Sequence, residues 1–100
     1  MRINPGHRHS DQINTTSEVD TWIVHLSEHT TYDFNIDGSR GTSLSPKLTL
    51  CSPAGVAVGF NSGVTSAHLD FTAPDSGDYT LYVAGLHGDT GDYILSVDIA

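Results

Sequence analysis

From Asp20 onward the chain alternates apolar and polar side chains with a period of two. That period belongs to β-strands that set one face against a core and leave the other face wet. Helices need apolar residues three or four positions apart, and no window of ordinary helix length has them. Strands are therefore expected over 20–27, 30–37, 47–51, 56–60, 66–73, 78–84 and 92–98. Their inward residues are Trp22, Val24 and Leu26, then Tyr32, Phe34 and Ile36, then Leu48 and Leu50. Leu69 and Phe71, Tyr79, Leu81 and Val83, and finally Tyr93, Leu95 and Val97 complete the set. Turn chemistry separates the segments: a polar break from Gly38 to Ser43, Ser52-Pro53-Ala54-Gly55 closing a hairpin, Asn61-Ser62-Gly63, Pro74 to Gly77, and a polar loop from Gly85 to Gly91. Residues 1–12 contain Pro5 and Gly6, show no alternation, and are expected to be an irregular lead or linker. Residues 13–100 are then a single β-sandwich domain.

About seven or eight short strands without a helix predict an all-β, antiparallel two-sheet sandwich. An immunoglobulin-like sandwich would ordinarily place a Cys pair around a core Trp. Here Cys51 is the single cysteine, so no internal disulfide forms, and the expected fold is jelly-roll-like. The length of 100 residues leaves no room for a two-domain enzyme. A net charge of -8 repels phosphate backbones and anionic membrane surfaces, which argues against nucleic acid as a partner. Apolar runs are far shorter than the roughly 20 residues of a spanning helix, and no basic-then-apolar export signal follows Met1. A fragment of a larger secreted chain would also lack one.

Several groups could carry chemistry. Glu18 and Asp20 lie two apart at the start of a strand, so their carboxylates can share a side and offer oxygens to Ca²⁺. Calcium takes about 6–8 oxygens, so Asp11, Asn14, backbone carbonyls or water would have to complete the set; the plain alternative is a solvated strand end. Asp89-Thr90-Gly91-Asp92 matches no calcium-loop pattern and reads as a polar loop. The six histidines have no local zinc spacing. His25 and His68 fall on outward strand faces, and surface imidazoles are the expectation. No Gly-x-Ser-x-Gly elbow and no phosphate-binding glycine loop occurs. Cys51, ending an apolar strand, reads as a small half-buried thiol. Nearly all the aromatic residues take the inward register, which leaves Tyr82 and Phe60 as exposed rings; Tyr82 is the candidate seed of a partner surface.

Three stretches together resemble the bacterial pre-peptidase C-terminal domain. They are Ser17-Glu18-Val19-Asp20-Thr21-Trp22-Ile23-Val24-His25-Leu26, then Pro46-Lys47-Leu48-Thr49-Leu50 with Pro53-Ala54-Gly55, and then Ala73-Pro74-Asp75-Ser76-Gly77-Asp78-Tyr79-Thr80-Leu81 with Gly91-Asp92-Tyr93-Ile94-Leu95-Ser96-Val97. The resemblance implies a non-catalytic accessory domain of a secreted bacterial protein, a peptidase above all, that aids secretion, folding or attachment to a substrate or surface. Its partners would be the neighbouring catalytic domain and extracellular protein or polysaccharide. The alternative is a calcium-dependent extracellular module binding protein or carbohydrate; a small hydrolase is the third. The chain departs from the family at Ser45, Cys51-Ser52 and Asn61-Ser62, where neutral groups replace oxygen ligands. Those exchanges count against a calcium site carried over from the family, and Glu18 and Asp20 stand as calcium candidates on their spacing alone.

Overall fold

The alternating segments form β1 (His7–Ile13), β2 (Val19–Leu26), β3 (Thr31–Gly38), β4 (Pro46–Cys51), β5 (Ala57–Ser62), β6 (Ser66–Thr72), β7 (Gly77–Gly85) and β8 (Gly91–Ile99). The structure, a computed structural model, describes residues 1–38, 44–86 and 89–100. The expected break at Ser39 to Ser43, and His87, lie outside the described residues.

Two antiparallel four-stranded sheets are built, in the orders β1-β8-β3-β6 and β2-β7-β4-β5. Only β4 and β5 are sequence neighbours paired in one sheet. The remaining connections pass between the sheets, and this interleaving is that of an eight-stranded jelly roll. The expected fold class is therefore borne out. Register follows from the alternation, because slipping a strand by one residue would turn its apolar set outward. Trp22, Val24 and Leu26 of β2 pair with Leu81, Tyr79 and Gly77 of β7, and Phe34 and Ile36 of β3 pair with Val97 and Leu95 of β8. Apart from Gly77, which has no side chain, these residues are buried between the sheets, as are Leu48 and Leu50 of β4. No charged side chain is buried among the described residues.

The structure corrects the reading of residues 1–12 as irregular. Residues 1–3 run beside β2, with Ile3 N–H donating to Ile23 O at 3.0 Å and Ile23 N–H donating to Met1 O at 2.7 Å. The chain then crosses to the other sheet, where β1 pairs with β8 from His7↔Val97 to Ile13↔Gly91. Gly6 makes the crossing at φ 88°, a left-handed conformation that glycine adopts without steric cost. Pattern alone misses β1 because it is an edge strand whose residues are mostly exposed, with Ile13 its one buried side chain. Other differences are small. β5 continues through Asn61 and Ser62, so the turn begins at Gly63. Leu69 and Phe71 are half-buried against the core, because β6 is also an edge.

Candidate functional site

Two surface regions contain the residues singled out from sequence. The first is one end of the sandwich. Asp20 has the inward parity of Trp22, so its carboxylate turns toward the mouth of the core. There Tyr93 Oη donates to Asp20 Oδ2 at 2.5 Å and accepts from Trp22 Nε1–H at 3.0 Å. The bond to Tyr93 satisfies both the buried indole N–H and the half-buried carboxylate. Burial, and then the adjacent Asp20, push the Tyr93 hydroxyl well above the usual phenol range. Burial also raises the Asp20 carboxyl, opposed by the Tyr93 bond and reinforced by Glu18 and Asp11.

Glu18 and Asp20 therefore do lie beside each other, with Asp11 near. Their oxygens are partly committed, since Glu18 Oε1 accepts from Asn14 N–H at 3.0 Å and Asp20 accepts from Tyr93. Among the described residues, the one group of three His, Cys, Asp or Glu side chains with ligand atoms within 4.8 Å of one another lies elsewhere, at Asp33, His68 and Asp70. The side chains of Glu18, Asp20 and Asp11 are hard-oxygen donors of the calcium type, yet they supply only part of a calcium shell. Carbonyls and water would have to complete it. Beside them a shallow, open hollow of about 530 Å³ lies over the paired ends of β1 and β8, lined by Asp11, Gln12, Asp92 and Tyr93. Asp92 belongs to β8, while Asp89 accepts from Ser45 N–H at 3.3 Å and ties two connections together.

The second region is the outer face of the β2-β7-β4-β5 sheet. Thr21, Tyr82, Thr49 and Phe60 form one row across four strands. Phe60 is 75% exposed and Tyr82 39%, with Val56 and Val58 also exposed along the β5 side. Both rings thus lie in one row, separated by the small Thr49. Parity located Tyr82 and Phe60; the joining of the valines to them depends on how β5 bulges against Leu50 and Cys51, which no sequence pattern marks. Cys51 is half-buried and unpaired by disulfide. The described histidines are dispersed: the His9 ring packs tilted against Trp22 at 5.3 Å between ring centroids, and His25 Nδ1 is 3.1 Å from Asp78 Oδ1.

Fold and surface define a jelly-roll β-sandwich with an acidic end and an aromatic strip on one outer face. No known family profile matches the sequence, and no curated protein matches it. Solved structures do. The pre-peptidase C-terminal domain of a collagenase from Bacillus anthracis superposes with a TM-score of 0.81 at 18% identity, covering 97% of this chain and 92% of that one. A periplasmic inhibitor of g-type lysozyme from Aeromonas hydrophila gives 0.69 at 18% identity, covering 99% and 96%. A surface-associated copper-binding protein from Methylomicrobium album BG8 gives 0.70 at 8%, covering 100% and 98%. The resemblance to the pre-peptidase C-terminal domain thus holds across nearly the whole chain at the level of fold.

Proposed function

We propose that the chain is a non-catalytic accessory domain of an exported bacterial protein, a peptidase in the first instance, which attaches a neighbouring catalytic domain to extracellular protein or polysaccharide. The observation that carries this reading is the likeness to a collagenase's pre-peptidase C-terminal domain over 97% of the chain. The exposed row containing Tyr82 and Phe60 supports the attachment role, because aromatic rings bury large area at little entropic cost and dominate small binding surfaces. The names of the three similar structures, from a collagenase, the periplasm and a cell surface, support an extracytoplasmic site of action.

The test is co-sedimentation of the purified chain with insoluble collagen, other fibrous proteins, cellulose and chitin. Saturable binding to one of these is expected, and the paired substitution Tyr82→Ala with Phe60→Ala should weaken it by at least ~10-fold, equivalent to about 1.4 kcal/mol. Equal retention of the variant would remove the attachment surface. Turnover of ester, peptide or glycan substrates that survives purification would overturn the non-catalytic reading itself.

A second reading, a calcium-dependent binding module, is favoured by the crowding of Asp11, Glu18 and Asp20, whose mutual repulsion a cation would relieve. Calcium at ~100 times its dissociation constant would add about 2.7 kcal/mol. At ~4–8 °C per kcal/mol that is a rise in Tm on the order of 10–20 °C over chelator. Glu18→Gln with Asp20→Asn should abolish it. An unchanged Tm leaves the accessory domain metal-free at this end.

A further inference from the structure

The outer face of the other sheet, β1-β8-β3-β6, carries aspartates in a row: Asp70 of β6 opposite Asp33 of β3, itself opposite Asp98 of β8. Like charges directly opposite one another weaken strand pairing. In the adjacent row His68 lies opposite Asn35, and its imidazole leans across to the carboxylates. His68 Nε2 is 2.8 Å from Asp70 Oδ1, and one ligand atom from each of Asp33, His68 and Asp70 falls within 4.8 Å of the other two.

The other ring nitrogen decides which atom faces that cluster. His68 Nδ1 is 2.6 Å from Asn35 Oδ1, and an amide oxygen only accepts, so Nδ1 carries a proton and Nε2 is turned toward the aspartates. A neutral ring would then set a lone pair against a carboxylate oxygen at 2.8 Å. A proton or a metal ion relieves that contact, and a metal ion can take all three donors at once. Metal-binding histidines are oriented in this manner, with the distal N–H given to a carbonyl or carboxylate. The donors also sit on two strands paired without interruption from Thr31↔Thr72 to Asp37↔Ser66, so their backbones are fixed relative to each other and small side-chain rotations bring them to bonding distances of ~2.0–2.2 Å.

The geometry points to a binding site for a divalent first-row transition metal, Zn²⁺ or Cu²⁺, held by His68 Nε2 and the carboxylates of Asp33 and Asp70, with Asn35 as the positioning residue. One imidazole with two carboxylates suits these ions, while Ca²⁺ would require several more oxygens. Three protein ligands leave a coordination position open to water or to a donor from outside the chain. The site is independent of the attachment reading, since it lies on the opposite sheet from Tyr82 and Phe60.

Calorimetric titration of the purified chain with Zn²⁺ at neutral pH, together with ¹H–¹⁵N NMR, tests it. One-to-one binding is expected, with shift changes centred on His68, Asp33, Asp70 and Asn35, and the Nδ1–H tautomer of His68 retained on binding. His68→Ala, and separately Asp33→Asn with Asp70→Asn, should weaken binding by at least ~10-fold, and Asn35→Ala by ~10–100-fold with loss of the single tautomer. A variant lacking His7 and His9 should bind as the parent does. Absence of saturable binding would identify the contact as an imidazolium–carboxylate pair and overturn the site. So would undiminished binding in His68→Ala, or shift changes centred on His7 and His9. If His68→Ala failed to fold, the shift map of the unaltered chain would still decide between these outcomes.

Discussion

The Tyr93 hydroxyl links the buried indole N–H of Trp22 to the carboxylate of Asp20. Tyr93→Phe keeps the ring but leaves both partners unsatisfied, at an expected cost of about 1–3 kcal/mol in urea denaturation. Asp20 sets the sign of a pH effect. Its carboxyl is raised in the folded protein, by burial first, so just above the ordinary aspartate range the native state binds more protons than the unfolded chain. Stability contributed by this group therefore falls as pH rises through that range. Asp20→Asn retains an oxygen for Tyr93 and removes the charge. The variant should be more stable than the parent at neutral pH, with the difference closing as pH drops below ~3.8; denaturation midpoints at the two extremes measure it. Asp78 acts in the opposite direction. Its carboxyl is lowered, by His25 first and then Arg2, so its contribution is present above the ordinary value and fades as pH falls through the lowered one.

At the scale of elements, the first thirteen residues are part of the sandwich. Ile3 and Ile13 are buried in the same core as Leu50, so Ile13→Ala should cost about 2–5 kcal/mol, comparable to Leu50→Ala, when measured by chemical denaturation. An irregular lead would tolerate the change within ~0.5 kcal/mol. The polar run His7-Arg8-His9-Ser10-Asp11-Gln12 hides this role, because an edge strand can be held by its ladder to β8 with one apolar anchor. Strands β2, β3, β4, β7 and β8 were legible to within a residue or so, since burial on one face forces strict alternation. At the β5–β6 turn a Cβ on Gly63 would lie 1.8 Å from the Ser66 carbonyl oxygen. Gly63→Ala should therefore lower Tm despite the ~0.4–1 kcal/mol that such a change contributes where the backbone has room.

Across the whole molecule the two outer faces differ in chemistry: aromatic and valine side chains on β2-β7-β4-β5, aspartates and a histidine on β1-β8-β3-β6. A packed core separates them. Substitutions on opposite faces should act additively, so Phe60→Ala with Tyr82→Ala should leave Zn²⁺ affinity unchanged, and His68→Ala should leave co-sedimentation unchanged. Sequence periodicity by itself determined seven of the eight strands, their inward residues, the all-β class and the outward parity of Tyr82, because period-two burial is a local property of each segment. Tertiary structure alone decided which strands are neighbours. Asp33 and Asp70 stand far apart in the chain and meet only because β3 pairs with β6; Asp20 reaches Tyr93 only because the two sheets close over one core. Such meetings depend on strand order, which alternation leaves open, since every order that buries the same faces satisfies the same local pattern.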